Sequence, residues 1–142
     1  MDKVIIGYTA GAFDVFHIGH LNLIKRAKEN CDFLIVGVTS DELIQKTKNK
    51  VPLSNIEERM DIISSIKYVD RVVIQDDLDK VAAWKKYRYD KLFSGDDWKN
   101  NERWKKYEDE LAKYDVQVVY FPYTKAVSST KLQEYVNKVQ ED

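Results

Sequence analysis

The amino-acid sequence predicts one doubly wound α/β domain, built on a five-stranded parallel sheet and spanning residues 1–142. Three observations lead there. Short runs rich in β-branched and aromatic residues recur along the chain, these runs are apolar along most of their length, and the stretches between them place apolar residues at helical spacing. Strands that are apolar on both faces and alternate with helices belong to a parallel sheet, covered on both sides and joined by right-handed crossovers.

The elements follow in chain order. VIIGYTA at 4–10 is the first strand, and Leu21, Ile24 and Ala27 then mark one face of a helix. FLIVGVTS at 33–40 is the second strand, with 40–50 leaving its end as a loop. Ile56, Met60, Ile63 and Ile66 mark an amphipathic stretch over 54–66, opened by Ser54 with Glu57 three residues later, a capping-box pattern. RVVIQ at 71–75, the weaker KLFSG at 91–95 and VQVVYF at 116–121 complete the strands, and Leu132, Tyr135, Val136 and Val139 mark a final helix. No internal repeat or Pro/Gly/Ser linker divides the chain. In such sheets ligands bind outside the carboxyl ends of the strands, where strand order reverses. The chemistry is therefore sought at 11–20, 40–50, 95–98 and 122–130.

Composition narrows the partners. Lys and Arg total 23 against 24 Asp and Glu, a net charge of -1, so binding nucleic acid through bulk positive charge is not expected. The longest apolar runs fall far short of the ~20 residues that span a bilayer, and the amino-terminal stretch lacks the pattern of a secretory signal. No membrane partner is expected, and a cytoplasmic location is the default. Cys31 is the only cysteine, which forbids an intrachain disulfide and reads as a core thiol.

GAFDVFHIGH at 11–20 leaves the first strand and holds both histidines of the chain. Gly11 lets the backbone turn and approach a ligand, while the new helix offers unpaired N–H groups and its positive dipole end. His17 and His20, three apart, project from one helical face and can donate together to phosphate oxygens. From the residues alone, a hydrogen-bonded helix start, a metal pair and a phosphate clamp stay open. A zinc site is weakened by the absence of a third histidine, with only carboxylates such as Asp14 to complete it, and no protein-held metal is expected.

GAFDVFHIGHLNLIKRAK resembles the HxGH nucleotidyltransferase superfamily and its cytidylyltransferase branch. TSDELIQKTKNK at 39–50, EER at 57–59, IKYVDRVV at 66–73, SGDDW at 94–98 and PYTKAVSSTKL at 122–132 resemble that branch's blocks in the same order. The resemblance implies a Rossmann-like fold and a reaction in which a small phosphorylated alcohol, glycerol 3-phosphate foremost, attacks the α-phosphorus of CTP and expels pyrophosphate. Mg2+ would accompany the CTP, and a homodimer is implied. Gly11, Ala12, Phe13, Asp14, His17, His20 and Lys48 would then hold CTP phosphates, with Lys46, Arg59 and Lys80 on the acceptor phosphate. His17, His20, Lys46 and Arg59 are thereby the expected catalytic groups. Gly95, Asp96, Asp97 and Trp98 would receive cytosine, and Tyr123, Thr124, Ser128, Ser129 and Thr130 would add phosphate contacts.

Each assignment has a plainer counterpart. Lys46, Lys48 and Lys50 read alone as a solvated charged face. The GDDW block reads as a turn with a packed indole, and the Ser-Ser-Thr run as a helix N-cap. Two positions depart from the branch's pattern: Ala12 replaces a threonine, and Tyr123 stands where an arginine usually meets the triphosphate, with Lys125 two residues on. Rival readings keep the fold but change the acceptor to ribitol or choline phosphate, change the nucleotide to ATP, or make the chain a non-catalytic nucleotide-binding module.

Overall fold

The computed structural model describes residues 3–122 together with 134, 135, 137 and 138. The elements run β1 (Ile6–Gly11), α1 (Ile18–Glu29), β2 (Phe33–Thr39), α2 (Asp41–Lys48), α3 (Ile56–Ser64), β3 (Arg71–Gln75), α4 (Lys80–Tyr87), β4 (Lys91–Gly95), a 3₁₀ turn at Asp96–Trp98, α5 (Glu102–Ala112) and β5 (Gln117–Phe121). All neighbouring strands are parallel, in the order β3-β2-β1-β4-β5. The chain therefore winds outward from β1 through β2 to β3, then crosses back to place β4 on the other side of β1. That reversal is the switch point at which the strand ends diverge and leave a crevice.

Each face of the sheet has its own core. Along β2, Ile35 joins Tyr8, Trp84, Tyr89, Leu92, Trp104 and Leu111 beneath α4 and α5. Leu34, Val36 and Val38 alternate to the opposite face and pack with Ile24, Ala27 and Ile63 beneath α1 and α3. Period-two alternation within an entirely apolar run thus feeds two cores, the double coverage that the sequence predicts. Cys31 packs against the second core, and its Sγ donates to the Ala27 carbonyl.

Two local expectations are corrected. The segment 40–50 is mostly helix, not loop: Ser40 caps α2 by accepting from Leu43 N–H, Asp41 and Glu42 face the positive end, and Asn49 closes the helix at φ 51°. Its signal was muted because Ile44 is its only buried residue. The capping box of α3 lies one residue later than expected, between Asn55 and Glu58. Ser54 cannot serve there because its backbone is committed elsewhere, its N–H to Asp14 and its carbonyl to Arg59. Residues 134, 135, 137 and 138 are helical, as expected, with Tyr135 exposed.

Candidate active site

Four strands deliver their last residues to one crevice. Ala10 and Gly11 from β1, Thr39 from β2, Gln75 from β3 and Ser94 from β4 line a cavity of about 540 Å³. A smaller cavity of about 200 Å³ shares Ala10, Gly11, Ala12, Ile44 and Lys48 with it and adds His20 and Lys50. The two cavities meet at the end of β1, the topological switch point. A groove of about 710 Å³ between α3 and β3 lies away from the strand ends and is lined by Glu57, Glu58, Asp61 and Asp70. So many carboxylates disfavour an anionic ligand there.

The turn out of β1 is not made by Gly11, which corrects the role expected for it. No described glycine has positive φ, whereas Phe13 and Val15 sit at 52° and 53°. A β-branched residue in that region is strained by ~1–3 kcal/mol and persists only where its surroundings over-determine it. Here they do. The Phe13 side chain is buried, so only its backbone can meet a ligand, and buried Asp14 accepts from Leu53 and Ser54 N–H at 2.9 and 3.1 Å.

Of the three roles left open for the histidines, the structure shows the hydrogen-bonded helix start. His17 is the N-cap of α1 and accepts from Gly19 N–H through Nδ1 at 3.0 Å, while His20 Nδ1 accepts from His17 N–H at 3.2 Å. This reciprocal capping box uses imidazoles where hydroxyl and carboxylate are usual. It stacks the rings at 4.0 Å and makes Nδ1 the acceptor of each, so the proton of each neutral ring sits on Nε2. Burial lowers the pKa of both, and burial, with some help from His17, holds His20 down to about 4 against an ordinary 6.5. Capping therefore sets the tautomer that a neutral phosphate donor requires.

Folding stability should carry the same signature. Between pH 6.5 and about 4 the unfolded chain protonates His20 while the native chain does not, so stability is lost as pH falls through that window. Thermal melts across it are expected to show a decline that His20→Gln, which keeps a cap acceptor but does not titrate, makes shallower. Parallel profiles for the two proteins would contradict this.

Arg59 is not available to a phosphate. Its side chain is 0% exposed; Nε donates to the Ser54 carbonyl, Nη1 to the carbonyls of Ala12 and Thr39, and Nη2 to the Asp41 carboxylate. The expected bidentate phosphate contact is corrected to a positioning role, since the guanidinium ties the ends of β1 and β2 to the loop before α3. Lys46 and Lys48 also part company. Once 41–48 is helical, residues two apart face away from one another, and of these two exposed lysines Lys48 lines both cavities while Lys46 lines neither. Burial lowers the Lys48 pKa.

Lys80 is the cation on the far wall. It is buried at the start of α4, donates to Gln75 Oε1, and lies 5.9 Å from the Trp104 ring centroid. Gln75 donates onward to Thr39 Oγ1 at 3.0 Å. Desolvation pulls the Lys80 pKa down to about 8, with Arg103 adding to the fall and Asp77 and Asp79 opposing it. Of the GDDW block, Trp98 lines the cavity, whereas Asp96 and Asp97 are exposed on the 3₁₀ turn. A Cβ at Gly95 would come 2.6 Å from Asp97 Oδ1, the tip of an exposed side chain that can turn aside. Tyr123, Thr124, Ser128, Ser129 and Thr130 lie outside the described residues, as does Lys125. The sequence reading passed over Asp41, Gln75, Arg103, Trp104 and Tyr107; all but Asp41 line the larger cavity, Gln75 from the last position of β3 and the other three from the first half of α5.

A parallel α/β sheet with a histidine-capped helix start and lysines converging on its switch point defines a phosphate-handling, nucleotide-binding enzyme. A family model described as Cytidylyltransferase-like matches residues 8–135, and the chain belongs to that family and is a nucleotidyltransferase. The glycerol-3-phosphate cytidylyltransferase of Bacillus subtilis (strain 168) is 34% identical over 137 residues, covering 96% of this chain and 98% of that protein. The FAD synthase of Pyrococcus abyssi (strain GE5 / Orsay) is 31% identical over 140 residues, covering 98% and 93%. Among solved structures, a lipopolysaccharide core biosynthesis protein from Thermoplasma volcanium GSS1 superposes with a TM-score of 0.72 at 26% identity, covering 88% of this chain and 100% of that one. Among the described residues no helix is long and apolar enough to cross a membrane.

Proposed function

We propose that the protein transfers the cytidylyl group of CTP to a small phosphomonoester, glycerol 3-phosphate before others, forming CDP-glycerol and pyrophosphate. One observation carries the reading: of two cavities joined at the end of β1, one is lined by His20, the other by Lys80, and both by Lys48. A triphosphate on the histidine side and an acceptor phosphate at Lys80 would approach one another across Gly11 and Ala12. The acceptor's second pKa is near ~6, so its attacking oxygen is already ionised at neutral pH and no strong general base is required. The demand is for donors and cations on oxygens whose charge grows as the P–O bond to pyrophosphate breaks. His17 and His20 supply Nε2–H donors there, and Lys48 a cation. Mg2+ enters as part of the substrate, MgCTP, where it would neutralise part of the triphosphate charge.

Pyrophosphate release measured with CTP or ATP against glycerol 3-phosphate, ribitol 5-phosphate, phosphocholine and riboflavin 5′-phosphate tests the reading. Turnover with CTP and glycerol 3-phosphate supports it. Turnover only with ATP and riboflavin 5′-phosphate would move the chain toward the chemistry that the FAD synthase likeness suggests, and CTP binding without any turnover would make it a binding module. We further propose that it works as a homodimer, which sedimentation at assay concentration reads directly.

Lys80 adds a pH dependence. It must be protonated to hold an acceptor dianion and loses its proton in the free enzyme at about 8, so kcat/KM for the acceptor is expected to fall as pH rises through that value. Lys80→Arg, which stays charged, is expected to move the descending limb to higher pH. A limb unmoved by this change would remove Lys80 from the acceptor site.

A further inference from the structure

The acceptor wall holds a second cation that neither the motifs nor the resemblance singled out. Arg103 is the second residue of α5, whose N-cap Asn101 accepts from the Arg103 backbone N–H. That cap fixes where the side chain leaves the helix, and it leaves into the cavity that Lys80 lines. No ion pair or side-chain hydrogen bond of Arg103 is found among the described residues. The cavity's described lining includes Lys48, Lys80 and Arg103 and no carboxylate. Trp98, Trp104, Tyr107 and Leu78 form walls of low polarity around the two acceptor-side cations, which strengthens any charge interaction made there.

Two like charges facing one cavity repel unless an anion joins them. Arg103 adds a small part to the fall of the Lys80 pKa, which owes most to burial. Asp77 and Asp79 act the other way on Lys80, yet neither lines the cavity. Inside the cavity, then, no carboxylate of the described lining faces the two cations, and a dianionic group is the ligand that would bridge them.

We propose that Arg103 is an acceptor-binding residue which, with Lys80, grips the phosphate of the acceptor and favours phosphomonoesters whose remaining part is uncharged. The proposal rests on the cytidylyl-transfer reading above. The planar guanidinium can take two phosphate oxygens at once, while the buried lysine acts as a point charge from the other side. A polyol chain tolerates that environment, whereas a quaternary ammonium close to two cations does not.

Arg103→Gln is the first test, because an exposed side chain without intramolecular partners can be removed with the fold intact, as a melt of the apo protein will verify. Loss of a charge-assisted contact is expected to raise the KM for glycerol 3-phosphate by ~10–100-fold with the KM for CTP changed by less than about twofold. Arg103→Lys is expected to recover only part of the loss. Arg103→Glu is expected to lower kcat/KM far more for glycerol 3-phosphate than for phosphocholine wherever the parental enzyme uses both. An acceptor KM in Arg103→Gln within about twofold of the parental value would overturn the proposal. Titration of inorganic phosphate and of glycerol 3-phosphate against tryptophan fluorescence separates this result from failure of the cytidylyl-transfer reading. Phosphate binding that weakens in Arg103→Gln while the parental protein releases no pyrophosphate with any CTP–acceptor pair would retain the Arg103 site and reject the reaction. Parental protein that binds neither probe would overturn the Arg103 site itself.

Discussion

His17→Asn and His20→Gln are each expected to lower kcat by ~10²–10³-fold at saturating substrates while leaving the melting temperature close to parental. The substitutions follow from the geometry. Asparagine is a good N-cap and can replace His17 Nδ1 as the acceptor for Gly19 N–H, and glutamine at N3 is the usual partner that reaches back to the N-cap N–H, as His20 now does. Both variants therefore keep the capping box and lose the Nε2–H donor. Alanine would remove both at once, with ~1 kcal/mol of cap energy confounding the kinetic effect. Because burial keeps both rings neutral near pH 7, the lost interaction is a neutral hydrogen bond to developing charge, worth ~2.7–4 kcal/mol when preorganised. Folded variants with near-parental kcat would reduce the histidines to their capping role and leave transfer without its phosphate donors.

Arg59→Ala is expected to have the largest effect on stability. Its buried guanidinium has four partners, and deletion would take the donor from the carbonyls of Ala12, Thr39 and Ser54 and leave the partly exposed Asp41 carboxylate with Ile56 N–H alone. Each buried carbonyl left without its donor typically costs ~1–3 kcal/mol, so the three together take a large share of the ~5–15 kcal/mol that holds a domain together. A fall in melting temperature on the order of 10–20 °C follows for a domain of this size. Asp41→Asn keeps an acceptor and removes only the charge, so a smaller loss is expected and the variant should remain folded if Arg59→Ala does not. Turnover should drop in the folded fraction as well, since Ala12 and Thr39 sit at the strand ends that line the larger cavity. An Arg59→Ala protein melting within about 2 °C of parental would show that the guanidinium does not hold these loops.

The contrast between Lys46 and Lys48 shows where sequence reading of the site ran out. Both stand in one basic stretch, and only the helical state of 41–48 separates them by most of a half-turn. That helix is short and largely exposed, and it buries a single residue, so it leaves almost no apolar period in the sequence. Arg59 failed for a different reason. An arginine in a charged EER run reads as solvated or ligand-binding, and only the convergence of three loop segments around it uses up its donors internally.

The fold itself was open to reading because its determinants are local. A strand buried on both faces must be apolar at consecutive positions, and a covering helix must repeat apolar residues every three or four, so β2 and α3 carry the mark of the sheet within their own residues. The histidine pair was legible for the same reason, being three residues apart on one helical turn. What the tertiary structure decided is which charges share a cavity. Lys80 and Arg103 meet because α4 and α5 pack on the same face of the sheet beside β4, and Gln75 joins them from the end of β3. Such through-space neighbours leave no periodicity behind, since their meeting depends on strand order and helix packing and not on anything either segment contains.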